Sequence, residues 1–312
     1  MNRRAVRQIL RPFPLFLVLL PACGCTFPGS GPAGCQAEKT FRSKPCLVFK
    51  RLVVLGASIS AGFGLQLEQG KAVTMADVFQ TAFGACPGRA LNLADVLLFL
   101  DPEGRGEKLV RRACSLKPTG VAAVDFLFWF GYGRTATESR RFLRLQKGLS
   151  LLDCFTCPIL VGDLCDMSQA VGTMLAAEQV PEPETLKELN QRIYRWAEER
   201  PNVTVLRLSR IVERLKQGEP LCAGPRKLYW EQVFQKDKLH TTLLGTSALC
   251  VLALKLLSEN CGDIPPGCCL ADPEKIAELT GARAEGKAAG DGSRTGLQAQ
   301  PFWEAVLRAS PK

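Results

Sequence analysis

Several features that would place a chain in other protein classes are scarce or missing in this 312-residue sequence. No apolar run reaches the roughly 20 residues that a membrane-spanning helix needs; the longest, residues 12–22, has 11 residues and includes three prolines. No stripe of clustered basic and aromatic residues is present, which argues against a nucleic-acid partner. The chain also has a single histidine, His240.

The first 22 residues contain four arginines and no acid, and they end in the apolar run 12–22. This layout is typical of a signal peptide, which we predict over residues 1–22. Leu20-Pro21-Ala22-Cys23 resembles a bacterial lipobox, in which Cys23 would be lipidated and become the mature N-terminus; the alternative is ordinary cleavage after Ala22. We therefore expect export, either as an envelope lipoprotein held at the membrane through Cys23 or as a periplasmic or extracellular protein.

Fourteen cysteines are a high number, and in an exported protein such a number indicates disulfides in preference to metal or redox sites. The Cys154-Phe155-Thr156-Cys157 motif raises the alternative of a thiol oxidoreductase. It follows a predicted helix and precedes a predicted strand, whereas a thioredoxin-type pair begins a helix, so redox catalysis is disfavoured. Removing residues 1–22 lowers the formal charge from +10 to +6, a weak basic excess.

Composition divides the rest of the chain into three segments. Residues 23–45 are rich in Gly, Pro and Cys and predict a tether, residues 46–262 form the domain, and residues 263–312 form a partly flexible tail. Within the domain, apolar runs predict strands over 47–56, 89–99, 121–130, 158–164 and 202–208. Helical stretches are predicted over 71–84, 105–116, 135–153, 182–200 and 242–258.

Several of the predicted strands are continuously apolar, which is typical of a sheet covered on both faces. The alternation of strands and helices predicts a doubly wound, three-layer α/β/α fold with a mainly parallel five-stranded sheet. In such folds ligands bind at the carboxyl ends of the strands.

Ser58 follows the first predicted strand, in the sequence Gly56-Ala57-Ser58, where small neighbours leave room for a substrate carbonyl. A serine hydroxyl needs a base, and the imidazole of His240 is suited to that role at neutral pH. Asp237 precedes His240 by three residues and can hold the tautomer of the imidazole and stabilise the imidazolium.

The blocks GASISAG (56–62) and DKLHTTLLG (237–245) resemble the first and last blocks of the SGNH/GDSL hydrolase superfamily, in a divergent bacterial form with Gly-Ala-Ser in the first block. The resemblance covers residues 50–258. It implies an SGNH hydrolase fold with Ser58 as nucleophile, His240 as base and Asp237 as the acid that orients His240. The family normally has Gly-Asp-Ser, so Ala57 removes one local carboxylate.

The family usually completes its oxyanion hole with a glycine after the second strand and an asparagine after the third, and neither is evident here. Gly133 stands where the asparagine is expected, so the main-chain N–H groups of Gly133 and Arg134, or the Arg134 guanidinium, are candidate substitutes beside the N–H of Ser58. Asp163, after the fourth predicted strand, is a candidate substrate-binding residue. Loss of one oxyanion donor typically lowers turnover about 100- to 1000-fold.

These residues predict an exported serine ester hydrolase that acts on carbohydrate acetyl esters or on lipid and short-chain acyl esters. The alternative is a catalytically weakened SGNH-like envelope protein that binds a glycan or lipid. Neither reading implies a metal or an organic cofactor, and the expected partner is a small-molecule, glycan or lipid ester.

Overall fold

The computed structural model describes residues 49–135, 137–261 and 269–290. The predicted signal peptide (1–22), Cys23 and the predicted tether (23–45) lie outside the described residues, as do residues 291–312 of the predicted tail.

Five short strands form the central sheet: β1 (Leu52–Val54), β2 (Ala90–Asn92), β3 (Gly120–Ala123), β4 (Ile159–Gly162) and β5 (Val203–Leu206). Their order across the sheet is β2-β1-β3-β4-β5, and every neighbouring pair is parallel. β1, β3 and β4 are buried at every position, because helices cover both faces of the sheet. The predicted fold class is confirmed.

The helices alternate with the strands along the chain. They are α1 (Ser58–Ala61), α2 (Leu65–Gln69), α3 (Met75–Ala82), α4 (Pro102–Ser115), α5 (Phe128–Gly131), α6 (Glu138–Leu152), α7 (Pro183–Glu198), α8 (Leu208–Lys216), α9 (Trp230–Val233), α10 (Leu243–Cys261) and α11 (Pro273–Gly290). α4 packs on α6 and α6 on α7, whereas α3, α10 and α11 pack on one another. The right-handed crossover that connects parallel strands in nearly all proteins predicts that these two groups lie on opposite faces of the sheet.

Local signals fix where several helices begin. Thr74 and Asp77 form a reciprocal capping box that starts α3. The Asp101 carboxylate accepts the Gly104 N–H ahead of α4, which has Pro102 in its first turn. These contacts set the first residues of α3 and α4, which lie within three to four residues of the predicted starts at 71 and 105.

α10 is apolar on all sides. Its window Leu243–Asn260 has a mean hydropathy of 1.3, and among the described residues it is the helix long and apolar enough to cross a membrane. However, 61% of that window is buried, because α10 packs between α3, α9, α11 and β5. Its hydrophobicity is accounted for by its central place in the domain.

The domain extends beyond residue 262, which corrects the predicted boundary of the tail. α11 packs on α3 and α10 and buries Ile276 completely. A hairpin that the sequence pattern did not reveal, β6 (Leu221–Ala223) and β7 (Arg226–Leu228), anchors the start of this helix. The Arg226 guanidinium makes two hydrogen bonds to the Asp272 carboxylate. The Ala- and Gly-rich composition of α11 hid its helical character.

The third strand is shorter than predicted. Residues 121–130 are apolar almost throughout, but β3 ends at Ala123 and the chain turns into α5. Periodicity cannot distinguish a buried strand from a buried short helix. The carboxyl end of β3 is therefore at residues 124–126, several residues before Gly133.

Candidate active site

Ser58 is the first residue of α1 and lies directly above the carboxyl end of β1. Its side chain is half-buried, whereas Gly56 and Ala57 before it are buried. Gly56 is required here because a Cβ would collide with Asp125 Oδ1 and Ser60 Oγ. The sharp turn from strand to helix thus presents the Ser58 hydroxyl at the end of the sheet where ligands bind.

The Asp125 carboxylate, just beyond β3, holds this turn from below. Its Oδ1 accepts the N–H of Ala57 at 3.0 Å, and its Oδ2 accepts the N–H groups of Ile59 at 2.8 Å and Ser60 at 3.2 Å. The Ser60 hydroxyl donates a fourth hydrogen bond to Oδ1. Burial raises the pKa of Asp125, and these four hydrogen bonds oppose the rise. Both ends of the turn around Ser58 are therefore fixed by one carboxylate.

Sequence reasoning missed Asp125. It noted that Ala57 removes the carboxylate usual in the first block, but not that a carboxylate from the neighbouring strand could support the same turn. The signal was available, because Asp125 is the one acid inside the apolar run 121–130. A buried acid in such a run must have hydrogen-bond donors around it.

Asp237 and His240 form a tight turn ahead of α10. Asp237 Oδ2 lies 2.6 Å from His240 Nδ1, and its Oδ1 accepts the main-chain N–H groups of Leu239 and His240, each at 3.0 Å. Lys238 completes the turn in the left-handed region, with φ 61°. Burial alone would raise the pKa of Asp237, but the hydrogen bonds and charge interaction with His240 lower it below its ordinary value. Asp237 is thus a carboxylate that fixes the position of His240.

The carboxylate can only accept at His240 Nδ1, so this nitrogen carries the proton and Nε2 is left as the basic atom. The imidazole is buried and packs against the Phe63 ring, with 4.1 Å between ring centroids. Phe63 follows the helix that begins with Ser58. Ser58 and His240 are not hydrogen-bonded to each other in this structure, and such bonds are often long before substrate binds.

Gln235 joins the two segments of the site. Its side-chain amide donates to the main-chain oxygens of Phe63 at 2.9 Å and Thr241 at 2.8 Å, and its own N–H donates to His240 O. The main-chain N–H of Leu243 adds a contact to the Glu68 carboxylate. The segment after Ser58 and the segment around His240 are therefore held against each other.

The two residues proposed as substitute oxyanion donors have other partners. The Gly133 N–H donates to Gln179 O at 2.9 Å, and the exposed Arg134 side chain forms an ion pair with Glu178 at 3.1 Å. Neither is among the residues that line the cavity at Ser58. The physical reason is the early end of β3, which separates this turn from the carboxyl end of the strand.

Buried Arg141 explains why the turn at 131–134 is fixed where it is. Its guanidinium donates to the main-chain oxygens of Gly131 at 3.0 Å and Gly133 at 2.9 Å, and also to the main-chain oxygens of residues 178–180.

The main-chain N–H of Ser58 makes no hydrogen bond to any described residue, so it is available as an oxyanion donor.

A narrow, largely apolar cavity of about 40 Å³ opens beside Ser58. It runs between the carboxyl ends of β3 and β4 and the helices α8 and α10. Its lining residues are Ser58, Ile59, Val124, Asp125, Phe128, Asp163, Cys165, Met167, Leu208, Ile211, Val212, Val233, Phe234, Leu239, Thr241 and Leu249.

Asp163 is one of the few polar groups in this lining, at the end of β4. Its Oδ1 accepts the Ser209 N–H at 2.7 Å, and its Oδ2 accepts the hydroxyls of Ser209 and Tyr194. Both oxygens are thus engaged with the protein. The residue predicted to bind substrate lies at the cavity but fixes the start of α8 against β4.

No protein-family model and no curated protein sequence matches the chain. Among solved structures, it is similar to a lipase/acylhydrolase from Enterococcus faecalis (17% identity, 67% of this chain and 96% of that chain, TM-score 0.47). It is also similar to a GDSL-like lipase from Bacteroides thetaiotaomicron (16% identity, 68% of this chain and 89% of that chain, TM-score 0.43). A third similar structure is an alpha/beta hydrolase enzyme from the metagenome of Lake Arreo, Spain (15% identity, 69% of this chain and 96% of that chain, TM-score 0.44). Similarity at this level does not extend to chemistry, which depends on the contacts described above.

Proposed function

We propose that the chain is an SGNH/GDSL-type serine hydrolase that cleaves esters of short, apolar acyl groups. The observation that carries the proposal is that Asp237 makes two hydrogen bonds to His240, one to its ring and one to its main-chain N–H. One carboxylate oxygen binds the ring at Nδ1 and the other binds the main chain, while Gln235 ties this turn to the segment after Ser58. An imidazole positioned in this way, in a turn tied to the segment that follows a serine at a strand end, is suited to general-base catalysis.

The reaction follows from these positions. The Ser58 hydroxyl attacks the ester carbonyl and its proton passes to His240 Nε2, while Asp237 stabilises the imidazolium. The Ser58 N–H donates to the oxyanion that forms on the carbonyl oxygen. His240 then returns the proton to the leaving alcohol, and a water molecule activated by His240 releases the acid from Ser58.

The cavity supports an apolar acyl group as the part of the substrate that enters it. About 40 Å³ holds roughly three water-sized groups, by the 10–15 Å³ that one water needs. An acyl chain of about two to four carbons matches this space, whereas a long fatty chain exceeds it. Because both oxygens of Asp163 are engaged, a sugar hydroxyl finds no free carboxylate there.

The alternative, an SGNH-like protein that binds a glycan or lipid with little turnover, is favoured by one observation. Of the oxyanion donors proposed from the sequence, the Ser58 N–H lies at the cavity and is unbonded, whereas the Gly133 N–H donates to Gln179 O and neither Gly133 nor Arg134 lines the cavity. A single donor is consistent with a slow enzyme.

Hydrolysis of p-nitrophenyl esters from acetate to dodecanoate, together with a fluorophosphonate label, tests the proposal. We expect activity that peaks at acetate to butyrate and is lost in Ser58→Ala. The label should fall on Ser58 in the wild type and be lost in His240→Ala, which keeps the hydroxyl but removes its base. Ser258→Ala, at a half-buried serine on α10 that does not line the cavity, is the matched control and should retain full activity.

Two results would contradict the proposal: ester turnover that survives Ser58→Ala, or a folded wild-type protein whose Ser58 does not react with the fluorophosphonate. Labelling of Ser58 without ester turnover would favour the alternative.

Export remains a proposal from the sequence. The arginine-rich start, the apolar run 12–22 and the lipobox-like sequence at Cys23 support a lipoprotein of the cell envelope. If Cys23 carries the lipid, Cys23→Ser moves the protein from the membrane to the soluble fraction. A processed wild-type chain found only in the soluble fraction would support simple secretion instead.

A further inference from the structure

Three cysteines lie close together at the amino ends of the strands, the edge of the sheet opposite to that of Ser58. Cys114 is in the last turn of α4, Cys154 follows the end of α6, and Cys157 precedes β4. All three come before the amino ends of β3 and β4, whereas Ser58, Asp125 and Asp163 follow the carboxyl ends of strands. Chemistry at these sulfurs is thus separate from the hydrolytic site.

The sulfurs of Cys114 and Cys154 lie 2.8 Å apart. A covalent disulfide has a sulfur–sulfur distance of about 2.05 Å. The two sulfurs would therefore have to approach each other by about 0.8 Å to form the bond, and small side-chain rotations are enough for that. α4 and α6 pack side by side, so their carboxyl ends are held together whether or not the bond exists. Cys157 makes no hydrogen bond with either of these sulfurs, although all three residues are in the described part of the chain.

We propose that Cys114 and Cys154 form a disulfide that links the end of α4 to the end of α6. The reaction is an exchange with a low-molecular-weight disulfide such as oxidised glutathione. Both S–H bonds are lost and one Sγ–Sγ bond forms, while the two electrons and two protons reduce the oxidant to two thiols. Cys154 is exposed and Cys114 is half-buried, so the oxidant can reach the pair.

The surroundings of the pair distinguish a structural disulfide from a redox catalyst. Partial burial raises the pKa of Cys154 to about 12, with the neighbouring Cys114 adding to the rise, and burial raises the pKa of Cys157 to about 11. Catalytic thiols have the opposite property, a pKa lowered by a helix N-terminus or a nearby cation. The CxxC motif is therefore not the functional pair, and its first cysteine bonds to a different helix.

Peptide mapping of the full chain tests the connectivity. The purified protein is equilibrated with oxidised and reduced glutathione, quenched in acid, alkylated without reduction and digested with trypsin and chymotrypsin. Cleavage after Phe155 separates Cys154 from Cys157, so each linkage gives a different peptide pair. We expect a peptide containing Cys114 joined to one containing Cys154 as the dominant product.

Two variants sharpen the result. Cys157→Ser should retain the joined peptides, and Cys114→Ser should lose them and leave Cys154 open to alkylation or to pairing with Cys157. Cys222→Ser is the matched control, since Cys222 is exposed and makes no hydrogen bond to another sulfur among the described residues. Under oxidising conditions, Cys114→Ser should have a lower Tm than the wild type and a kcat on p-nitrophenyl acetate, measured well below that Tm, within about twofold of the wild-type value.

A dominant Cys154–Cys157 linkage overturns the proposal, and so does alkylation of both Cys114 and Cys154 as free thiols in the oxidised protein. Neither result depends on whether the protein hydrolyses esters.

Discussion

Removing the Asp125 carboxylate should destabilise the protein and, if Ser58 is the nucleophile as we propose, lower ester turnover at the same time. In Asp125→Ala, the N–H groups of Ala57, Ile59 and Ser60 and the Ser60 hydroxyl lose their acceptor inside a buried site. Orphaned donors cost about 1–3 kcal/mol each, so four set an upper limit of about 12 kcal/mol. Relief from burying a carboxylate offsets part of this, and we expect a net loss of about 3–5 kcal/mol, at the upper end of what breaking a buried hydrogen-bond network costs.

This loss corresponds to a fall of roughly 100- to 4000-fold in the folding equilibrium constant, at about 1.4 kcal/mol per factor of ten. Activity should fall separately, because a displacement of about 1 Å at the nucleophile costs about 100-fold in turnover. Asp125→Asn retains one acceptor oxygen and should lie between Asp125→Ala and the wild type in both measurements.

Urea unfolding followed by circular dichroism gives the free energy of unfolding. Ester turnover divided by the folded fraction that circular dichroism reports under the assay conditions gives activity per folded molecule. Asp101→Ala is the control, because this exposed carboxylate caps α4 through one N–H group and should cost only about 1 kcal/mol without changing turnover. The reasoning is refuted if Asp125→Ala unfolds within 0.5 kcal/mol of the wild type, about the scatter of surface substitutions, and keeps its turnover.

Three further outcomes are expected. Asp237→Asn should lower kcat by about 1000- to 10,000-fold. The pKa of Asp237 is lowered in the folded protein, so the stability that this carboxylate adds is complete above the unfolded pKa near 3.8 and is lost as the pH falls through the folded pKa. The difference in unfolding free energy between the wild type and Asp237→Asn should therefore shrink below pH 3.8, as measured by urea unfolding at a series of pH values. Lys238→Gly should stabilise the protein by about 1 kcal/mol and Lys238→Val should destabilise it, measured by urea unfolding, because φ is 61°; equal stability of the two would contradict this account of the turn. Cys154→Ser should lose about 4 kcal/mol under oxidising conditions, the loop-closure value for cysteines 40 residues apart, whereas Cys222→Ser should change little; an unchanged midpoint in Cys154→Ser would argue against the bond.

The sequence pattern predicted the sheet and its main helices because each strand is a short apolar run flanked by helical stretches. It overextended the third strand because Val124 and residues 126–130 continue the apolar run into α5 on both sides of Asp125. It also missed the hairpin β6–β7 and the helix α11, whose partners are the Arg226–Asp272 contact and the buried Ile276. Long-range pairings of this kind leave little trace in local composition.

In the candidate site, too, contacts between residues far apart in the sequence could not be predicted from local motifs. Ser58, Asp237 and His240 are recognisable because each lies in a short local motif, and their catalytic roles stay predictions. The supports of the site come from elsewhere in the chain: Asp125 is 68 residues from Ala57, and Gln235 is 172 residues from Phe63. Placing the oxyanion donor at Gly133 depended on where the third strand ends, and hydrophobicity did not mark that point.

The 172 residues between Phe63 and Gln235 have a consequence for folding and for synthesis of the chain. The segment after Ser58 meets its partner only through residues that the ribosome adds about 170 positions later, at Gln235 and Leu243. Contacts between such distant positions require closure of a long loop and form slowly in folding. An N-terminal fragment can contain Ser58 and its supporting strands and still lack a base. Hydrolytic activity should therefore return in the last phase of refolding, after the sheet has formed, and a nascent chain should be inert toward esters until it is nearly complete.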